Sequence, residues 1–280
     1  MTSDVTRRRF LAGTALTALT AAAGCSGTTP FVGKRTESTE TITVRDATTL
    51  TVETETGDVT LRGTDREDLH VRAVKQASSV GTDVTQLTLE TTRENGRISL
   101  SSQWSGTTGF FTSRPSLDID AEVPASLTVG EVTTSVGDIE ATDVAGDLRA
   151  EANTGDVRVR RGGGTVSAES DTGDVEVRTP EVLAGASTNT GDVSVDVPAI
   201  DGETTVDANT GDVTAHVAPD LDATLVVQSS TGDVELTGLP LSDGETEQDD
   251  PGESFRGVLG EGGPTLRIES STGDVTVHSL

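Results

Sequence analysis

Alternating hydrophobic and polar residues recur along most of the chain, in pairs of short segments separated by a Gly-Asp step. After each step, aliphatic residues stand two and four positions beyond the glycine, with polar residues between them. Such period-2 alternation is typical of a β-strand with one buried face. The glycine supplies the positive φ that a tight turn requires. The pattern therefore predicts a strand-turn-strand unit.

This unit is repeated. The Gly-Asp step is followed by an aliphatic residue nine times, and its glycines are Gly57, Gly137, Gly146, Gly155, Gly173, Gly191, Gly211, Gly232 and Gly273. From Gly137 onward the spacings are 9, 9, 18, 18, 20, 21 and 41 residues. Arrays with such a period are typical of solenoids, in which each unit covers the hydrophobic face of its neighbour.

We predict an all-β fold: a β-solenoid, similar to a parallel β-helix, with rungs of 18–21 residues built from 9-residue half-repeats. An antiparallel β-meander is the alternative. A single-layer meander would leave its aliphatic face in water, however, and the repeat region has almost no aromatic residue to cover that face. A solenoid closes the face on itself.

Four regions follow from the pattern, and the repeats occupy residues 131–280. Residues 41–130 are less regular, and alternating segments at 69–74, 87–89, 98–100 and 117–120 predict a sheet that caps the solenoid. Residues 238–263 form the largest insertion, which carries Glu245, Glu247, Asp249 and Asp250 and is predicted to be a mobile acidic loop. Residues 1–24 and 25–40 precede these regions.

The ordered run of these features resembles a known family. A Thr-Gly-Asp-Val strand pair at residues 51–61, irregular strands, the Val123-Pro124 step and tandem Gly-Asp-Val repeats are similar to the putative adhesin family, whose β-strand-repeat domains have no known function. The resemblance covers about residues 40–280. It implies surface attachment by analogy and brings no catalytic residues with it.

The net charge of the chain restricts the classes of partner that it can bind. With 47 Asp and Glu against 20 Lys and Arg, the net charge is −27. Nucleic acid is excluded as a partner because phosphate binding needs clustered Lys and Arg, and a bare anionic membrane surface is disfavoured for the same reason. Only Lys34 and Lys75 are lysines. This dispersed acidic surface is typical of proteins adapted to high salt, where counterions screen like charges.

The first 24 residues predict an export signal. Arg7 and Arg8 precede Phe10 and Leu11, as in the twin-arginine signal that carries folded proteins across the membrane. The apolar run that follows has about thirteen residues, which is too short to span a bilayer.

Cys25, the only cysteine, follows small residues as in a lipobox, although Ala22 replaces the usual leucine. We expect a lipid on Cys25, a flexible tether over residues 25–40, and a location at the outer face of the cytoplasmic membrane.

Three sets of side chains are candidate sites. The aspartates after the glycines would stack about 4.8 Å apart in a parallel solenoid, which makes them weak candidates for Ca²⁺, though we expect each to cap its own turn; they are Asp156, Asp174, Asp192, Asp212 and Asp233. Trp104, Phe110 and Phe111 could contact a sugar or a protein, or plug the open end of the solenoid. His216 and His278 should lie two rungs, about 9.6 Å, apart with Thr237 between them, too far to share a metal.

These observations predict a non-catalytic, lipid-anchored surface protein that acts as a structural or adhesion module, with no cofactor and no firm metal site. Its candidate partners are the membrane, through Cys25, a surface polysaccharide or protein, and counterions at high salt. A cation-responsive, envelope-sensing accessory protein is the alternative. A glycan-cleaving β-helix enzyme is a third and disfavoured reading, because no pair of carboxylates stands out.

Overall fold

The structure is a computed structural model that describes residues 33–78, 82–106, 114–249 and 252–280. Within these residues the chain forms 23 strands and a short 3₁₀ helix, Val84–Gln86. In chain order, the strands before the regular repeats are β1 (Lys34–Ile42), β2 (Thr49–Thr56), β3 (Val59–Thr64), β4 (Leu69–Ala77), β5 (Leu87–Glu94), β6 (Arg97–Trp104) and β7 (Ser116–Pro124).

The regular repeats supply the remaining strands. They are β8 (Thr128–Val136), β9 (Ile139–Thr142), β10 (Leu148–Thr154), β11 (Val157–Arg160), β12 (Thr165–Thr172), β13 (Val175–Arg178), β14 (Val182–Thr190), β15 (Val193–Val197), β16 (Ile200–Thr210), β17 (Val213–Val217), β18 (Ala223–Ser229), β19 (Val234–Thr237), β20 (Leu241–Asp249), β21 (Gly252–Leu259), β22 (Thr265–Ser270) and β23 (Val275–Ser279).

The strands form two sheets. The first sheet has the order β1-β4-β7-β3-β9-β11-β13-β15-β17-β23-β19, and the second has the order β20-β21-β18-β22-β16-β14-β12-β10-β8-β2-β6-β5. Each rung takes one strand from each sheet, and neighbouring rungs pair in parallel and in register, as Val157 with Val175 and Val175 with Val193. The parallel pairing confirms the predicted β-solenoid and overturns the antiparallel alternative for the rungs.

The core lies between the two sheets and is aliphatic, as the alternation predicts. Inward side chains such as Val157 and Val159 of the first sheet and Val166 and Ala168 of the second are fully buried, and they belong to one continuous cluster. Small branched side chains suit this space because the two strands of a rung lie close together. Each Å² of apolar surface removed from water contributes about 25 cal/mol, so the burial of these side chains is the main term that stabilises the stack.

The rungs do not follow chain order at either end. Rung β6/β7 lies outside rung β2/β3, and rung β22/β23 lies between β16/β17 and β18/β19. In the second sheet, Ile268 of β22 pairs in parallel with Val206 on one side and Val227 on the other. The chain therefore turns back in the 41 residues between Gly232 and Gly273, and its last rung is inserted before rung β18/β19 instead of after it.

The predicted acidic loop is instead a hairpin. Strands β20 and β21 pair with each other and β21 pairs with β18, all antiparallel, so the insertion extends the second sheet past the last rung. Leu259 is buried, and Leu241 and Phe255 pack partly buried against the core. These apolar residues dock the segment against the core, although its charge alone predicted a mobile loop.

Antiparallel strands cap the other end. Strands β4 and β1 follow β7 in the first sheet, and β5 follows β6 in the second. The four segments predicted between residues 69 and 120 all fall within strands, but β6 and β7 are part of the rung stack, so the solenoid begins before residue 131. Since β1 starts at Lys34, the tether predicted over 25–40 is wrong from Lys34 onward.

No helix in the described part of the chain has the length and hydrophobicity needed to cross a membrane.

Candidate functional site

The glycines of the Gly-Asp steps form one corner of the solenoid. Eight of the nine line the same edge with φ between +136° and +146°, a conformation open almost only to glycine. A Cβ built on Gly211 would lie 1.8 Å from the carbonyl oxygen of Gly191 on the rung before it. Gly146 is the exception, since it lies in the β9–β10 turn on the opposite edge.

The aspartates that follow the eight corner glycines, together with Asp118 of β7, which follows Leu117, form a continuous hydrogen-bonded column. We call this column the aspartate ladder. In spatial order its members are Asp118, Asp58, Asp138, Asp156, Asp174, Asp192, Asp212, Asp274 and Asp233. Each backbone N–H donates to the Oδ1 of the preceding member over 2.8–3.3 Å. The column therefore joins all nine rungs along one edge.

This arrangement corrects the expected role of the column. We predicted that each carboxylate accepts an N–H of its own turn, but the N–H comes from the neighbouring rung, as when Asp174 donates to Asp156 over 2.8 Å. The carboxylate thus links neighbouring rungs. Hydrogen bonds to charged acceptors are stronger than neutral ones, which helps to offset the repulsion between stacked carboxylates.

A second column of hydroxyls lies inside the same corner, and the sequence analysis missed it. Ser170 donates to the carbonyl of Gly155 and Thr188 to the carbonyl of Gly173, each over 2.9 Å. Both side chains are almost fully buried. The signal was present in the sequence as a Ser or Thr three residues before most of the glycines.

The outer face of the first sheet carries a network of ion pairs. Arg160 contacts Glu176 at 2.9 Å and Glu140 at 3.4 Å, while Arg178 contacts Glu176 at 3.4 Å and Asp196 at 3.0 Å. The network spans the strands from β9 to β15. Partly exposed pairs of this kind contribute little individually, but they arrange opposite charges in rows that hold side chains in fixed positions.

The outer face of the second sheet is different, because like charges meet there. Asp207 is in register with Glu269 of the next rung, and Ser187 separates it from Glu169. Partial burial raises the pKa of Asp207, and the negative charges of Glu269 and Glu169 add to the effect. The surroundings of Asp207 in the folded protein therefore disfavour the charged form of its carboxyl.

The two C-terminal histidines are neighbours, which contradicts the predicted two-rung separation. His216 of β17 is directly in register with His278 of β23, and their ring centroids are 5.8 Å apart. The prediction failed because it assumed that rungs stack in chain order and placed Thr237 between the histidines. In the structure Thr237 lies beyond His278.

Trp104 lies at the end of β6, where it pairs with Leu87 of β5 and packs partly buried against the core. The guanidinium of Arg114 stands 5.4 Å from the centre of its ring, within the range of a cation–π contact. Trp104 therefore contacts the core beside the antiparallel cap. Phe110 and Phe111 lie outside the described residues, as do Arg7, Arg8, Phe10, Leu11 and Cys25.

Among the residues that the structure describes, no group of three or more His, Cys, Asp or Glu side chains is placed to hold a metal ion. The weak Ca²⁺ candidates of the ladder lie in a single row, each on its own rung. In such a row, a cation would meet carboxylates on one side only.

Residues 113–278 match the family model described as Toastrack DUF4097. No curated protein matches the chain.

Solved structures with similar folds include a putative adhesin from Parabacteroides distasonis, 12% identical with a TM-score of 0.44, which covers 88% of this chain and 98% of its own. A putative adhesin from Bacteroides fragilis is 13% identical with a TM-score of 0.39, covering 88% and 97%. A putative cell adhesion protein from Clostridium sporogenes is 10% identical with a TM-score of 0.36, covering 88% and 100%.

Proposed function

Because this chain belongs to the Toastrack DUF4097 family, we propose that its solenoid is a non-catalytic module displayed on the cell surface for adhesion or interaction. In this proposal the twin-arginine signal exports the protein, and a lipid on Cys25 holds it at the outer face of the cytoplasmic membrane. A two-chain lipid would be needed, because one acyl chain binds a membrane only marginally.

One observation carries the proposal: the two ends of the stack are different. Strand β1, the first strand after the predicted anchor, lies at one end of the first sheet. The acidic hairpin β20–β21 and the edge strand β19 lie at the other end. A protein held through Cys25 would therefore carry its acidic hairpin at the end of the stack remote from the anchored strand.

The columns of the solenoid suit such a role. The aspartate ladder fixes each corner to the next, so the outward rows of side chains keep a constant spacing along the stack. A repeated, rigid surface can meet a repeated partner such as a polysaccharide at several points at once, which raises the overall affinity beyond that of one contact. We infer a surface polysaccharide or protein as the partner class.

The test compares three forms of the full-length protein in a strain that lacks its own copy. The unchanged protein should be digested by protease added to intact cells. Cys25→Ser should release the protein to the medium, and replacing both Arg7 and Arg8 with lysine should keep it inside the cell. Attachment of cells to a surface or to other cells should fall in both variant strains. Equal attachment in all three strains would overturn the adhesive role.

A cation-responsive role is the second candidate, and the aspartate ladder favours it. Two carboxylates 4.8 Å apart repel by roughly 0.9 kcal/mol in bulk water, so cations near the column relieve the repulsion. Melting the protein with millimolar Ca²⁺ against NaCl of matched ionic strength separates a specific response from screening. A rise with Ca²⁺ alone would favour the sensing role, and equal rises would reject it.

A further inference from the structure

His216 and His278 form a pair that neither the sequence pattern nor the proposed function accounts for. The insertion of rung β22/β23 beside β16/β17 brings them into register on adjacent parallel strands. Their rings are 5.8 Å apart, centre to centre, with 34° between the planes. Both side chains are only half-buried, so solvent reaches them.

We propose that His216 and His278 bind one divalent transition-metal ion of the class that prefers imidazole, namely Cu²⁺, Ni²⁺ or Zn²⁺. An imidazole nitrogen lies about 2.0–2.1 Å from zinc, so two imidazoles on one tetrahedral ion have ring centres about 5 Å apart. The observed 5.8 Å is close to this value. Side-chain rotations that bring the rings less than about 1 Å closer complete the chelate.

The neighbouring strand orients one of the two ligands. Asp196 of β15 is in register with His216, and its Oδ1 lies 3.5 Å from Nδ1 of that ring. Nδ1 therefore faces the carboxylate, and Nε2 is the nitrogen on the opposite side of the ring. Because the guanidinium of Arg178 can only donate to Nδ1, binding of an ion at Nε2 requires the ring proton to move to Nδ1, where Asp196 can accept it. A carboxylate behind a metal-binding histidine fixes the ring and increases its basicity.

Arg178 opposes the binding of a cation at this place. Its Nη1 lies 3.1 Å from Nδ1 of His216 and 3.0 Å from Oδ1 of Asp196, so its charge partly neutralises the carboxylate. On the other side, Thr237 follows His278 in the same column and carries no charge. The pair thus supplies two protein ligands, and water supplies the others.

Such an ion would join β23 to β17 from outside the sheet. Binding would therefore stabilise the inserted rung, because an ion that binds only the folded state raises the free energy of unfolding. This role concerns a different face and different residues from the aspartate ladder, and it does not depend on adhesion.

The experiment uses the full-length protein without a polyhistidine tag, in a Cys25→Ser background so that the thiol cannot bind the metal. Calorimetric titration with Ni²⁺ and with Zn²⁺ should give one ion per chain. His216→Thr and His278→Thr should each weaken binding of the metal ion at least tenfold, because a single imidazole then holds the ion where two did before. Threonine already occupies this column at Thr142 and Thr237, so both variants should fold. His70→Thr is the matched control and should bind as the parent does.

Two further readouts make the result independent of stability. The electron paramagnetic resonance spectrum with Cu²⁺ should show coupling to two nitrogens in the parent and to one in either variant. Arg178→Gln should tighten binding, since it removes the nearby positive charge. Binding that is unchanged in both histidine variants, or that involves many ions per chain, would assign the metal to surface carboxylates and overturn the proposal.

Discussion

The backbone N–H of Asp274 donates to the carboxylate of Asp212, 62 residues earlier in the chain, over 2.8 Å. Asp274 then accepts from the N–H of Asp233 over 2.9 Å, so the inserted rung is bonded at its corner to both neighbours. The aspartate ladder thus passes through the rung that is out of chain order without a break. The members that follow a corner glycine are interchangeable in position because those corners have the same backbone geometry.

Replacing one member of the ladder tests whether the hydrogen bond or the charge matters more. Asp192→Ala removes the acceptor for the N–H of Asp212 and should cost about 1 kcal/mol of stability. Asp192→Asn keeps an acceptor oxygen and removes one charge from the column. It should therefore cost less than the alanine variant and should melt with a weaker dependence on NaCl.

Thermal melting of both variants from low to multimolar NaCl checks this prediction. If asparagine proves as costly as alanine at every salt concentration, the neutral hydrogen bond is worth little and the interpretation of the ladder fails. Equal salt slopes for all three proteins would show that the column does not contribute to the salt response.

The corner glycines should be far less replaceable than other glycines with positive φ. Gly211→Ala places a Cβ 1.8 Å from the carbonyl oxygen of Gly191, so backbone strain and the clash together should cost about 3 kcal/mol or more. Gly202→Ala is the matched control, because Gly202 also has positive φ, +94°, but no atom lies within 4 Å of the added carbon. It should cost about 1 kcal/mol. Chemical denaturation measures both, and similar losses would contradict the close packing of the corners.

Asp207 should make the protein less stable as the pH rises. Burial and the charges of Glu269 and Glu169 raise the pKa of Asp207 above its ordinary value of 3.8. The folded protein therefore holds this proton more tightly than the unfolded chain, so its contribution is favourable below pH 3.8 and is lost as the pH rises through the folded value. Asp207→Asn should melt a few degrees higher than the parent at pH 7.

The difference between Asp207→Asn and the parent should shrink as both are acidified below pH 3.8, because the parent then also carries a neutral carboxyl. Asp201→Asn, on the same strand but exposed, controls for the general loss of a negative charge. A gain of the same size in the control would attribute the effect to net charge and not to the surroundings of Asp207.

Arg178 should be poorly replaced by lysine. Its guanidinium contacts Asp196 and donates to Ser194 over 2.7 Å from a second nitrogen, a forked geometry that an ammonium group lacks. Because the side chain is partly exposed, Arg178→Lys should cost only about 0.5–1 kcal/mol at low salt. Urea unfolding against Arg256→Lys, which changes an exposed arginine of β21, measures the cost. A loss no larger than the control's would leave the ion-pair network without a stabilising role.

The repeat unit was predictable because two local signals agree in each repeat. The alternation of Val157 and Val159 with polar residues marks the buried face, and Gly155 with Asp156 marks the turn. Parallel stacking follows from the need to cover the aliphatic face without helices or aromatic residues. These are local properties, and the structure repeats them rung after rung.

The order of the rungs was not predictable in the same way. All rungs carry the same pattern, so the sequence of β22 and β23 fits equally well beside β17 or beyond β19. The positions of His216 and His278 depended on that order, which is why their separation was wrong. The partner of each aspartate was hidden for a similar reason, since Asp174 could accept an N–H from its own turn or from the next rung with no change in sequence.

The inserted rung also has a consequence for how the chain folds. At the N-terminal end, β6/β7 and then β8/β9 each add to an open edge of rung β2/β3. At the other end, β18/β19 is made next, but its neighbour in the structure, β22/β23, is still unmade. Folding therefore cannot proceed rung by rung in the order of synthesis. We expect a pause after β17, which ends when residues 265–279 dock and give both flanking rungs their partner.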